Sequence, residues 1–163
     1  MAEFLEQEQG VEETQQDKFL TFALDGEFYG IEIKHVTEII GGMQAVTQVP
    51  ELPPYVKGII NLRGRIIPVM DVRLRFKKPA KEYTDRTCII VIELQQVTVG
   101  LIVDTVAEVT VIPDADIVPP PEGAKGGNNK YIKGIGKVGG GVRLLLDCNR
   151  LLSQDELDSL LPD

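Results

Sequence analysis

The sequence predicts a mainly β protein: two five-stranded barrels packed around a shared core, short helices between strands, and an amphipathic helix at the C-terminus. Short runs rich in Val, Ile, Phe and Leu alternate with Gly, Pro, Asp and Asn, as in FLTFAL, DGE, FYGIEI and again in CIIVIEL, QQ, VTVGLIV. An internal repeat divides the chain into two copies. A sheet of five short strands buries too little apolar surface unless it curls, and one such barrel is marginal alone, so two are expected to pack together.

Setting Gly30 against Gly100 and reading outward without gaps brings Phe19, Leu20, Phe22, Leu24, Tyr29, Ile31, Ile33, Val36 and Ile39 onto Ile89, Ile90, Ile92, Leu94, Val99, Leu101, Val103, Val106 and Val109. Glu38 falls on Glu108. A second block follows in the same order, where Tyr55, Lys57, Gly58, Gly64 and Asp71 meet Tyr131, Lys133, Gly134, Gly140 and Asp147. The offset widens between the blocks because the second copy carries the longer loop, PDADIVPPPEGAKGGNNK.

Residues 1–17 hold six acids, four glutamines and no basic residue. They bury too little to offset the cost of ordering and are expected to form a disordered acidic tail. Strands are expected near Phe19 to Leu24, Phe28 to Ile33, Thr37 to Ile40, Ile59 to Leu62 and Ile66 to Val72. Asp71 can then cap a helical turn over VRLRF, and Asp147 one over CNRLL. The repeat assigns the first barrel mainly to 18–80 and the second mainly to 86–152. The segment from Ser153, with Asp155, Glu156, Leu157, Leu160 and Leu161, has a capping-box start and is expected to be helical over 153–163, with Pro162 ending it.

The 163 residues carry 25 acids and 17 bases, a formal net charge of −8. That balance argues against nucleic acid as a default partner. The acidity is nevertheless terminal, since residues 18–152 hold 15 acids against 17 bases. No apolar stretch approaches the roughly 18 residues a spanning helix needs, and the N-terminus lacks the regions of a secretory signal. A cytoplasmic protein without direct membrane insertion is expected. Cys88 and Cys148 lack CxxC spacing and read as free thiols in a reducing compartment.

Gly134-Ile-Gly136-Lys-Val-Gly139 satisfies GxGxxG, but the residues after it read as a turn into another strand, and the matching segment of the first copy, GIINLRG, is no phosphate loop. Hairpin glycines are the expected reading. His35 is the single histidine, and Ser153 and Ser159 are the two serines. Neither a catalytic triad nor a metal site can be assembled, so no catalytic residue, cofactor or metal is assigned.

The copies differ where the first has Arg63-Gly64-Arg65 and the second Gly139-Gly140-Gly141. Seven bases lie from Arg63 to Lys81, with Asp71 the one acid among them. A solvated edge strand and linker accounts for most of them. A small barrel binding nucleic acid through this strip is the alternative function, weakened because only Phe76 could stack on bases. Glu38, amid Val36, Ile39 and Ile40, and Arg63, after Leu62, are charges bordered by apolar residues. If they meet, they form a bidentate pair, able to orient a docked helix or to serve as a structural bridge within the barrel.

At Asn61-Leu-Arg-Gly-Arg-Ile-Ile-Pro-Val-Met-Asp71-Val-Arg73 the sequence resembles the CheW family of chemotaxis coupling proteins. The likeness extends through Phe28-Tyr29-Gly30-Ile31, Val36-Thr37-Glu38-Ile39, Tyr55-Val56-Lys57-Gly58, Val99-Gly100-Leu101-Ile102-Val103-Asp104 and Tyr131-Ile132-Lys133-Gly134, covering Lys18 to Leu152. The resemblance implies a non-enzymatic adaptor of two SH3-like barrels. It would join the cytoplasmic tips of methyl-accepting chemoreceptors to the regulatory domain of the histidine kinase CheA, recruited from the cytoplasm to membrane-associated arrays. Glu38, Ile39 and Arg63 fall in the family's receptor-facing region, and Val36, Gly58, Gly100 and Gly134 match positions whose change disturbs kinase or receptor coupling. A coupling module fused to a receiver domain is disfavoured by the ending at Asp163.

Overall fold

The computed structural model describes residues 15–43, 46–121 and 129–152. The expected C-terminal helix at 153–163, and the expected tail up to residue 14, lie outside them. Eleven strands are described: β1 (Lys18–Leu24), β2 (Glu27–Glu32), β3 (Val36–Gly41), β4 (Val56–Leu62), β5 (Arg65–Asp71), β6 (Cys88–Leu94), β7 (Val97–Val103), β8 (Thr105–Val111), β9 (Ile117–Val118), β10 (Ile132–Val138) and β11 (Gly141–Leu146). Two one-turn helices, α1 (Val72–Arg75) and α2 (Cys148–Leu151), follow β5 and β11. Their caps are the expected ones. The Asp71 carboxylate accepts from the Arg73 amide and the Asp147 carboxylate from the Asn149 and Arg150 amides.

The strands form two sheets, in the orders β8-β1-β2-β11-β10-β9 and β3-β6-β7-β5-β4. The first, built from both ends of the chain, is called the terminal barrel and the second the central barrel. This corrects the division at 18–80 and 86–152, because each barrel takes strands from both copies. Strands β1 and β2 leave the first copy to pair with β8 and β11 of the second, and β6 and β7 leave the second to pair with β3 and β5 of the first. The exchange is reciprocal and gives the molecule a pseudo-twofold axis.

Registers repeat residue by residue. Val69 lies opposite Gly100 in the parallel β5–β7 pair, and Leu145 opposite Gly30 in the parallel β11–β2 pair. A bulge at Lys57, between Val56 and Gly58, recurs at Lys133, between Ile132 and Gly134. The bridge Thr47 to Ile59 recurs as Val118 to Ile135.

Strand β1 explains why its sequence reads as a nearly continuous apolar run. Leu20, Phe22 and Leu24 enter a core shared between the barrels, while Phe19 enters the interior of the terminal barrel with Ile112 and Leu145. In β6 the alternation recurs, with Ile90 and Ile92 in the shared core and Ile89 and Val91 inside the central barrel with Ile60, Ile67, Val69 and Ile102. Through the shared core runs an aromatic column, Phe22, Tyr29, Phe76 and Tyr131, with successive centroids 5.6, 5.5 and 5.4 Å apart. Arg75 lies over the rings of the repeat-equivalent Tyr55 and Tyr131, 4.5 and 5.0 Å from their centroids. Cys88 and Cys148 are free thiols, and burial pushes the Cys148 thiol up to about 12.

Candidate functional site

Three of the four tight hairpins carry a non-glycine residue in the left-handed region at the first turn position: Asp25, Arg63 and Gln95, at φ of 54°, 53° and 52°. The turn between β4 and β5 continues through Gly64 at φ 85°, whose amide donates to the Asn61 Oδ1 at 2.8 Å. This geometry carries the Arg63 side chain across to β3. Its Nη1 donates to the Glu38 Oε1 at 2.9 Å and its Nη2 to the Oε2 at 3.1 Å.

The expected bidentate pair therefore forms. Because β3 and β4 are the two ends of the central sheet's strand order, the pair closes the barrel across its open seam. Arg63 is 77% exposed and Glu38 25%, with Ile39 beside them also exposed. Val36 is half-buried against the shared core.

The remaining sequence-assigned positions lie inside barrel walls. Gly58, Gly100 and Gly134 are buried. A Cβ on Gly58, at φ 149°, would stand 2.1 Å from the Thr47 carbonyl oxygen. On Gly100 it would stand 2.8 Å from the Ile89 Cγ2, and on Gly134 2.9 Å from the Ile117 Cγ2. These glycines shape the strands and offer no partner a side chain.

The basic strip persists as a surface only in part. Arg73 is buried, with its Nε on the Asp104 Oδ1 at 2.7 Å, its Nη2 on the Asp104 Oδ2 at 2.8 Å, a further bond to Asp25, and its Nη1 on the Pro79 carbonyl at 3.0 Å. Lys78 lies 4.0 Å from Asp25 and Glu27, and Lys81 4.0 Å from Asp104. Arg75 donates to the Leu151 carbonyl. Arg73, Arg75 and Lys78 are thus turned to acids and carbonyls from distant parts of the chain, which local sequence could not reveal, while Arg63, Lys77 and Lys81 stay exposed. The continuous basic face that motivated the nucleic-acid reading is interrupted at its centre by the buried Arg73.

Burial works to raise the Asp104 carboxyl, but the hydrogen bonds and charge of Arg73 outweigh it and hold the group below the ordinary range. Bonding to Asp104 correspondingly raises the Arg73 guanidinium against its own desolvation. His35 ends a 3₁₀ turn (Ile33–His35), its Nε2 3.8 Å from the Glu32 carboxylate. Burial, with the charge of Lys34, lowers it. Gly134 and Gly136 lie within β10 and Gly139 in the hairpin after it, so the GxGxxG spacing belongs to a strand and its turn. Among the described residues no three His, Cys, Asp or Glu side chains gather as a metal site, and no helix is long and apolar enough to cross a membrane.

A set of exposed apolar positions, of which the sequence singles out Ile39 but not Val109, Ile66 or Val142, is brought out by the exchange. Ile39 and its repeat-equivalent Val109 are 44% and 50% exposed, and Ile66 and its equivalent Val142 are 50% and 51% exposed. Both barrels therefore present matching apolar residues on β3 and β8, and on β5 and β11. The signal for them lay in the repeat, had it been read for exposure as well as for core.

Two interlocked SH3-like barrels with matched outer strands define the class of domain. The chain belongs to the CheW family: residues 18–156 match the CheW-like domain. It is 39% identical over 145 residues to the chemotaxis protein CheW of Klebsiella aerogenes, covering 89% of this chain and 87% of that one. To the chemotaxis protein CheW of Bacillus subtilis it is 35% identical over 147 residues, covering 90% and 94%. The solved structure of the scaffolding protein TtCheW from Thermoanaerobacter tengcongensis superposes with a TM-score of 0.81 at 34% identity, covering 90% of this chain and 99% of that one.

Proposed function

We propose that the protein is a non-catalytic chemotaxis adaptor that couples the cytoplasmic tips of transmembrane chemoreceptors to the histidine kinase CheA. The observation that carries the receptor side is the Glu38–Arg63 pair, preformed and bidentate beside the exposed Ile39. A fixed charge pair at the edge of an apolar patch supports docking of a helix in one orientation. The kinase side is supported by the matched exposed residues Ile39 with Val109 and Ile66 with Val142. A double-barrel regulatory domain on the kinase would meet one barrel by one contact and the other by a second, letting the units alternate into rings. Individually modest contacts then gain strength from multivalency. The protein would work in the cytoplasm, recruited to arrays at the membrane.

Pull-down or co-sedimentation tests this with a receptor cytoplasmic fragment and, separately, the kinase regulatory domain. Binding to both is expected, and folded protein that binds neither would sink the adaptor reading. Arg63→Ala should weaken receptor binding more than kinase binding while the melting temperature stays nearly unchanged, since an exposed ion pair contributes about 0–1 kcal/mol. Equal loss toward both partners with a large drop in stability would mark the pair as purely structural.

A further inference from the structure

The four tight hairpins share a two-residue turn, yet they hold it in different ways. Gly139 opens the β10–β11 turn at φ 57° with no Cβ to oppose that conformation. The other three place a side chain in the left-handed position, and two of these side chains are held by a neighbour. Asp25 accepts from Arg73, and Gln95 donates to Asn149 at 3.4 Å. Arg63 differs, because its side chain leaves the turn for Glu38 across the seam of the central barrel. Its backbone is steadied instead by Asn61, whose Oδ1 accepts from the Gly64 amide at 2.8 Å.

Asn61 stands two residues before Arg63 on β4, opposite Ile66, and is itself exposed. The corresponding positions before the other turns hold Ala23, Glu93 and Lys137. Lys137, the repeat-equivalent of Asn61, has no acceptor to offer, and the turn beside it has the glycine that needs none. The two copies thus differ at both positions together, with acceptor and arginine in one and lysine and glycine in the other. The far side of the turn is held as well, since the Nη2 of Arg65 donates to the Thr98 Oγ1 at 3.0 Å and ties the start of β5 to β7.

We infer that Asn61 is a positioning residue for the receptor contact: by bonding the Gly64 amide it keeps the turn in the conformation from which the Arg63 guanidinium meets both oxygens of Glu38. The inference rests on the receptor-binding reading of that pair. A guanidinium on a long, exposed side chain gives up rotamer freedom to stay bidentate. A turn that wanders moves the Cα beneath it, and the two-point geometry is lost first. Asn61 needs no contact with the partner for this role and acts through Arg63.

Receptor-fragment binding by Asn61→Ala, alone and combined with Arg63→Ala, tests the role. Asn61→Ala should weaken binding about three- to tenfold, leave kinase-domain binding unchanged, and have no further effect once Arg63 is alanine. Asn61→Asp keeps the acceptor oxygen and should restore binding to within roughly twofold of the wild type. Asn61→Lys removes the acceptor while keeping a long side chain, and gives the same reading if Asn61→Ala folds poorly. The ¹H–¹⁵N spectrum of the full-length protein reads the pair without a receptor: the Arg63 Nε–Hε cross-peak should move toward the free-arginine position in Asn61→Ala and stay in place in Asn61→Asp. A cross-peak unmoved in Asn61→Ala, an equal loss of binding in the Arg63→Ala background, or an equal loss toward receptor and kinase would overturn the inference. Wild-type protein that never binds the receptor fragment, with the cross-peak moving as stated, would overturn the adaptor reading and leave the hold of Asn61 on Arg63 standing.

Discussion

Arg63 holds a backbone conformation that its repeat-equivalent Gly139 reaches at φ 57° with no side chain to strain. A left-handed residue with a Cβ costs roughly 1–2 kcal/mol, against the roughly 0.5–1 kcal/mol of extra chain entropy that glycine loses on folding. Arg63→Gly is therefore expected to leave stability within about 1 kcal/mol of the wild type, while removing the clamp on Glu38 and lowering receptor binding. Thermal melts beside pull-downs check the split, and a fall of several degrees would show that the pair holds the barrel shut. Gly58 and Gly134 offer the opposite contrast. They are repeat-equivalent, but an added methyl meets a backbone oxygen at 2.1 Å in one case and the side-chain Cγ2 of Ile117 at 2.9 Å in the other. Gly58→Ala is expected to cost at least about 2 kcal/mol and Gly134→Ala about half as much or less, measured by urea unfolding. Any loss of coupling in Gly58 variants then comes from a deformed barrel.

At the level of elements, Arg73 on α1 ties together the β1–β2 turn at Asp25, the β7–β8 junction at Asp104 and the linker at Pro79. The axis relates Asp25 and Arg73 to Gln95 and Asn149, which share one exposed hydrogen bond of 3.4 Å. The junction held by charge on one side is thus held at the equivalent positions on the other by a neutral contact. Asp104 is held below its ordinary value of 3.8 when folded. Its contribution is thus complete above the unfolded value, near pH 4, and is lost as pH falls through the depressed folded value. Asp104→Asn should lower stability at pH 7 by about 2 kcal/mol and flatten the decline of stability below pH 4, as read by denaturant midpoints across pH. The strands themselves were legible because alternation within Phe19 to Leu24 and Ile89 to Leu94 is local, and so were the caps at Asp71 and Asp147. The pairing of Glu38 with Arg63 was legible as well, since both are charges set in apolar runs. The knot at Arg73 was not, because its partners lie 48 and 31 residues away, and the base reads locally as one more solvated charge. The exchange of strands was equally hidden. A repeat states which strands are equivalent, and Gly30 could satisfy the same pattern opposite Val69 as opposite Leu145.

For the whole molecule, that exchange decides what can exist alone. A fragment of residues 15–80 holds β1 and β2 without β8 and β11, and β3 without β6. Neither barrel is complete in it, although it is one entire copy of the repeat. We expect fragments 15–80 and 86–152 to be separately unfolded by amide dispersion and to regain the native spectrum when mixed. A folded, dispersed fragment 15–80 would show that strands can pair within one copy. The same architecture governs the order of events at the ribosome. Strands β1 and β2, with apolar faces and open edges, precede their sheet partners β8 and β11 in the chain, and β11 ends at Leu146. The terminal barrel can close only after the central one has all its strands, so the β1–β2 hairpin waits with open edges until β8 and β11 have been made. Long-range pairing of this kind slows folding and exposes strand edges to other chains. A ribosome stalled before β11 would leave the β2 edge without its mate.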